Sequence, residues 1–382
     1  MMRHGILDGM EGGTRMTTES DSLWCETGRS FDKNETLKAK GIAICLLLFH
    51  HLFFNKARVQ NGGIHLMFLN GIDQLNAWGT DARVCVWMFA FLSAYGLSLQ
   101  YRKREPADSA DRCRFVGHYW LSLMKPYWFV FVLQLLLSFF LFKPPSAVYQ
   151  GNWFYPVVCF FGWSDLFQTP MPSAVWWYMC FAQIVVLMVP FLYEAIRKFG
   201  ILVLPLSFIA ALYFGPGIRS SFGGPYVMYL FVVVLGVWFA QKDVMAQIGR
   251  KWKWPLLNAV EGIAVLAGAF ALIWLHDLYH AGDKWWYTKL FMSCAAVLIV
   301  VFGYKYLRHP VATAPLKFLG RHSGNIFLIH SFLYTYYLNF VFFSHNVLVT
   351  FLTLLLVSLA LSMAIEALKG LLRRLPPLRI LL

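Results

Sequence analysis

Ten apolar stretches punctuate this chain, at roughly 37–56, 81–101, 119–142, 173–195, 200–214, 226–241, 256–276, 287–307, 322–343 and 347–370. About 20 apolar residues coiled into a helix cross the hydrocarbon of a bilayer. A helix also satisfies every backbone N–H and C=O within the segment, which lipid demands. The expectation is an all-α fold: a polytopic membrane helix bundle of about ten transmembrane helices. The fifth and sixth runs are short, and Pro205 interrupts the fifth, so they read as tilted, kinked or partly re-entrant. The stretch 153–167 is apolar too, but Pro156, Gly162 and Asp165 break it. It reads as an outer-face segment that dips toward the membrane. Composition agrees: only 14% of the 382 residues are charged, against about a quarter in a soluble domain.

Charge gives the orientation. With the N-terminus in the cytoplasm and ten alternating spans, Lys56, Arg58, Arg83, Lys143, Arg219, Lys284 and Lys289 fall outside and Lys125 within a span. All the other Lys and Arg fall inside, so both termini are expected in the cytoplasm. The net charge of +14 is then a record of topology. It is split among many short loops, so no nucleic-acid partner is expected. Residues 1–33 are polar and lack the apolar core of a signal peptide, and read as a flexible cytoplasmic lead. Residues 34–382 read as one membrane domain. The seven cysteines are scattered without paired spacing, so neither disulfides nor a metal site is expected. There is no internal repeat of the kind on which inverted-repeat transporters are built.

Against this apolar background a few polar groups stand out. His50 and His51 sit side by side near the far end of the first run. A titratable ring in a membrane helix is costly and marks a functional candidate, although two idle, hydrogen-bonded rings at the interface are the plainer alternative. His51 lies eleven residues beyond Lys40, about 16 Å at helical rise and near mid-membrane. His330 lies nine residues past Arg321, about 14 Å and thus at similar depth. Ser323, Asn325, Ser331 and Asn339 make that ninth run polar enough to face the bundle. The second run closes with Ser93-Ala94-Tyr95-Gly96, whose small residues suit close helix approach. Such interfaces serve one chain or several, so no oligomeric state is assigned. Arg102, Lys103, Arg104, Arg112 and Arg114 follow in one inner loop. They satisfy the positive-inside rule and also suit the phosphates of a coenzyme A donor. Lys125-Pro126 places a lone cation and a helix-kinking proline in the third run, and Trp176-Trp177-Tyr178 suits an interfacial belt at the fourth.

Taken in order, these motifs resemble the membrane acyltransferase 3 family, bacterial sugar and exopolysaccharide O-acyltransferases. The resemblance is carried by Lys40-Gly41-Ile42-Ala43-Ile44 with a following histidine, by the phenylalanine-rich Trp87–Leu97 ending in Leu92-Ser93-Ala94, and by Lys125-Pro126-Tyr127-Trp128. Trp177-Tyr178-Met179 with Pro190, and Leu319-Gly320-Arg321-His322-Ser323 with Leu328-Ile329-His330, complete it over about 33–345. Departures mark a divergent branch. Leu37 stands for the family's aspartate and Lys40 for its arginine. Ala94 replaces a glycine, and Ala182, next to Gln183, replaces a glutamate. Of the basic residues usual before the third-run proline, Arg114, His118 and Lys125 are the only stand-ins.

The resemblance implies an enzyme of the inner (cytoplasmic) membrane that moves an acyl group, acetyl first, from acyl-CoA to a hydroxyl of an envelope or secreted glycan. It implies no permanently bound cofactor; acetyl-CoA or another acyl-CoA is the donor substrate, and a glycan or lipid-linked sugar is the acceptor. His51, with His50 beside it and His330, would carry the catalysis. Lys40, Arg102, Lys103, Arg104, Arg114 and Lys125 would hold the donor. Ser93, Tyr95, Trp177 and Ser323 would stabilise the oxyanion or hold substrate. The rival readings are a transporter or flippase for a lipid-linked sugar or small solute, and a membrane sensor with packed histidines.

Overall fold

The structure, a computed structural model, describes residues 30–64, 71–214, 219–220, 224–280 and 288–374. Arg3, Arg15, Arg29, Lys284 and Arg379 of the charge pattern, and all but the end of the N-terminal lead, lie outside the described residues.

Each of the ten apolar runs contains a helix: α1 Lys33–Phe53, α2 Val84–Arg104, α3 Ser109–Leu137, α4 Trp177–Phe199, α5 Val203–Phe214, α6 Leu230–Gln241, α7 Pro255–His280, α8 Thr288–Lys305, α9 Pro310–Tyr336 and α10 Val347–Leu372. Among the described residues six stretches suffice, by length and composition, to cross a membrane: Lys33–Phe53, Ile72–Arg104, Ser109–Leu137, Ala174–Phe214, Pro255–Tyr279 and Val347–Leu372. The fourth of these contains both α4 and α5. Beyond helices, the described residues contain one two-residue antiparallel pairing, Arg219–Ser220 with Gly224–Pro225.

Hydropathy locates the greasy part of a helix and not its ends. The Asp32 side chain accepts from the Glu35 backbone N–H at 2.9 Å, so α1 starts at Lys33, earlier than the apolar run. Lys38 is therefore not a loop residue: it is buried, pairs with Glu35 at 2.6 Å and donates to the Leu307 carbonyl at 2.9 Å. Likewise α3 already holds Arg112 and Arg114, and α9, with Pro310 at its first turn, already holds Lys317 and Arg321. His51 consequently stands two residues from the end of α1. Along α1 it lies toward the far end of the helix and not its middle.

Below, the end of the bundle at which α1 begins is called proximal and the opposite end distal. α1 packs along α9, and both run the same way: Leu37 meets Gly320 near their starts and His51 meets His330 near their ends. Glycine permits the first contact. A Cβ on Gly320 would lie 1.9 Å from the Leu37 carbonyl oxygen, and one on Gly41 2.0 Å from that of Leu316. α2, α4, α6 and α8 supply most of one apolar core, while α1, α9 and α10 share a second. α7 and α10 turn rows such as Leu256, Val260, Ile263 and Phe270, or Leu348, Leu352 and Leu356, outward. These are surfaces for hydrocarbon.

The interrupted stretch 153–167 packs into the bundle as the short helix Phe154–Phe160 and a turn. Its free carbonyls meet donors on α3 and α4. Tyr127 donates to Cys159, Trp128 Nε1 to Phe160 at 2.8 Å, and Gln183 Nε2 to Phe161 at 3.0 Å. Gln183 Oε1 in turn accepts from Trp120 at 2.8 Å and Trp163 at 3.2 Å. Irregular backbone at depth survives because protein donors replace water. Gln183→Leu leaves these partners unmet, each at about 1–3 kcal/mol. Its thermal midpoint in detergent should fall by several degrees, and an unchanged midpoint would contradict this account.

Candidate active site

A cavity of about 190 Å³ opens among α1, α2, α3, α4 and α9. Lys40, Leu47 and His51 line it from α1. At 100° per residue, seven and eleven residues return to nearly the same helix face. His50 is turned a further step round. Its Nδ1–H donates to the Gly79 carbonyl at 2.7 Å and its ring stacks on Phe54, centroids 4.7 Å apart. So the helix period separates the two histidines: one faces the cavity, the other ties α1 to the helix Ile72–Asp81.

The remaining walls come from distant parts of the chain. Ser93, Val86 and Phe89 belong to α2, Leu123, Pro126 and Tyr127 to α3, Trp177 and Tyr178 to α4, and Ser323, Phe327 and Leu328 to α9. Five sequence-predicted residues, Lys40, His51, Ser93, Trp177 and Ser323, thus meet in one space. Ala182 also lines it, at the position where the family carries a glutamate, so this wall offers no carboxylate. Lys40 has neither a hydrogen bond nor an ion pair among the described residues.

His330 does not line the cavity but backs His51, with ring centroids 5.1 Å apart. It is fully buried. Its Nδ1 lies 3.0 Å from both the Ile326 and Phe327 carbonyl oxygens. Carbonyls only accept, so Nδ1 carries the hydrogen and Nε2 of the neutral ring holds a lone pair. That Nε2 has no partner among the described residues. Neither ring nitrogen of His51 is hydrogen-bonded among the described residues. Tyr334, one helical turn beyond His330, lies nearly parallel to the His51 ring at 6.1 Å.

Other predicted residues lie elsewhere. Tyr95 is buried in the first core, edge-on to Phe31 at 5.3 Å. Lys125 is half-buried on α3 without reaching the cavity. None of Arg102, Lys103, Arg104 and Arg114 lines it. Arg102 forms a two-pronged pair with Asp243 at 2.9 and 3.0 Å, and Arg114 pairs with Asp111. Arg104 lies over Tyr119 at 5.2 Å, and Lys103 is exposed. Neither Lys103 nor Arg104 has a carboxylate partner among the described residues. Sequence reasoning missed Tyr178, Phe327 and Tyr334. Of these Tyr334, four residues after His330, and Phe327, four after Ser323, had a periodic signal.

An imidazole hydrogen-bonded at neither nitrogen, a cation without a counter-ion among the described residues, and the Ser93 hydroxyl in a largely apolar space suit proton transfer next to developing negative charge. No curated protein and no solved structure matches the chain. The family model described as an acyltransferase domain does match, over residues 39–367, from the turn that carries Lys40 to the far part of α10. By that match, across nearly every element that builds the cavity, the chain belongs to the acyltransferase 3 family and is a multi-pass membrane acyltransferase.

Proposed function

We propose that the enzyme moves an acyl group, acetyl first, from acyl-CoA to a hydroxyl of an envelope or secreted glycan, at the inner membrane. In this reading all ten helices span, the proximal end is cytoplasmic and both termini lie there. The observation that carries the reading is the shared cavity of His51 and Lys40, on one face of one helix and backed by His330.

His51 takes the proton of the acceptor hydroxyl as its oxygen attacks the thioester carbonyl. The tetrahedral oxyanion gains from the Ser93 hydroxyl, while the Lys40 ammonium holds the acyl-CoA donor. Collapse breaks the C–S bond, and the departing thiolate takes up the proton held by His51. In this reading the His51 ring turns in the substrate complex so that the unpartnered lone pair on His330 Nε2 accepts one N–H of His51, which would fix the tautomer and leave the other His51 nitrogen basic. The donor's phosphates stay at the proximal surface, where Lys103 and Arg104 are available.

Purified protein supplied with acetyl-CoA and the glycan should release CoA. Envelope glycan from cells lacking the gene should lose a base-labile ester. Solute flux without CoA release would overturn the reading. Lys40→Ala should raise KM for acyl-CoA about tenfold or more, the weight of one charge-assisted contact of about 1.5–3 kcal/mol. An unchanged KM would remove Lys40 from the donor site.

A further inference from the structure

Arg58 closes the distal end of the His51 site, and nothing in the mechanism above uses it. It sits on the short helix Lys56–Asn61, just past the end of α1. Its Nη1 donates to the His51 carbonyl oxygen. Its guanidinium carbon lies 4.1 Å from the centroid of the Tyr334 ring. Since Tyr334 flanks His51 on one side and His330 contacts it on another, Arg58, Tyr334, His51 and His330 form one packed series.

The helix that carries Arg58 is itself clamped. The Asn55 side chain accepts from the Arg58 backbone N–H at 3.0 Å. His345 Nδ1 donates to the Gly62 carbonyl at 2.7 Å, and a Cβ on Gly62 would collide with Phe342. Lys56 pairs with Asp73 at 2.5 Å. The short helix, and with it the base of the Arg58 side chain, is therefore fixed before any substrate arrives.

We propose that Arg58 is a positioning residue for acyl transfer: through the Tyr334 ring and the His51 carbonyl it fixes the His51 imidazole in the orientation that faces the cavity. The inference rests on the reading that His51 carries the reaction. A plainer role also exists. A cation at a helix C-terminus stabilises unpaired carbonyls and the dipole wherever it occurs. The two roles differ in what they require. A cap needs only charge and a donor, which Lys supplies. Positioning through Tyr334 needs a planar group that stacks and donates at once, which Lys does not supply.

The test measures kcat and KM for acyl-CoA, with thermal midpoints in detergent, for Arg58→Ala, Arg58→Lys, Tyr334→Phe, Tyr334→Leu and Arg58→Ala/Tyr334→Leu. A misplaced catalytic group costs up to about 10²-fold. Arg58→Ala should therefore lower kcat about 10- to 10²-fold with KM nearly unchanged. Arg58→Lys should recover the midpoint but not kcat. Tyr334→Phe, which keeps the ring, should stay close to wild type, and the double variant should be no worse than the poorer single. Recovery of kcat by Lys, additive single effects, or an Arg58→Ala enzyme as fast as wild type would each overturn the proposal. Failure of the wild-type protein to release CoA would instead defeat the reading on which it rests.

Discussion

His51→Ala should lower acyl transfer by about 10²–10⁴-fold, the usual weight of a general base, in a protein still inserted and folded. The folding part of that expectation follows from the site. His51 projects into a cavity, so truncation enlarges an existing space and breaks no hydrogen bond among the described residues. The paired control is His50→Ala. It deletes the 2.7 Å bond to the Gly79 carbonyl and the stacking on Phe54. Its effect should fall on stability, about 1–3 kcal/mol for the carbonyl left without its donor, with kcat little changed. The two neighbours thus separate two observables, rate for one and thermal midpoint for the other. If His50→Ala abolishes turnover while His51→Ala leaves it intact, the assignment of the base is wrong.

How far this site was legible in the sequence depends on how local the cause was. Between His50 and His51 the sequence reading left the catalytic choice open, although the helix period separates their faces: Lys40, Leu47 and His51 repeat at seven and four residues, and His50 is out of step. The meeting of α1, α2, α4 and α9 followed from the ordered motifs, because family resemblance carries tertiary information that periodicity lacks. The pairing of Arg102 was not legible because its partner is remote. Arg102 is tied to Asp243, which lies 141 positions away in the chain. Helix starts were misjudged because caps such as Asp32 and His309 lie outside the greasy run. Arg58 was counted only as one of the few outside cations. Its use depends on a turn held in place by His345 and Phe342, 283 and 280 positions downstream of Gly62.

Gly41→Ala and Gly320→Ala should each destabilise the protein by about 1–3 kcal/mol, as overpacking does, and should also lower activity. In both cases the new methyl would meet backbone, 2.0 Å from the Leu316 oxygen and 1.9 Å from the Leu37 oxygen. No rotamer change relieves such a clash, so α1 and α9 must move apart. Gly41 precedes His51 by ten residues, and Gly320 precedes His330 by ten. The glycine contacts therefore set the register in which the two rings meet, about 15 Å further along each helix. Separation there loosens the 5.1 Å ring contact and the tautomer control that rests on it. Gly370 on α10 supplies a control with the opposite sign: it has open space where a Cβ would go. Gly370→Ala should gain about 1 kcal/mol from helix propensity alone. Because Gly41 and Gly320 serve one interface, the double substitution should cost less than the two singles together. Thermal unfolding in detergent, read beside CoA release, distinguishes the cases. A Gly320→Ala protein as stable as Gly370→Ala would mean that α1 and α9 do not touch through their backbones, and the register of the two histidines would then need another cause.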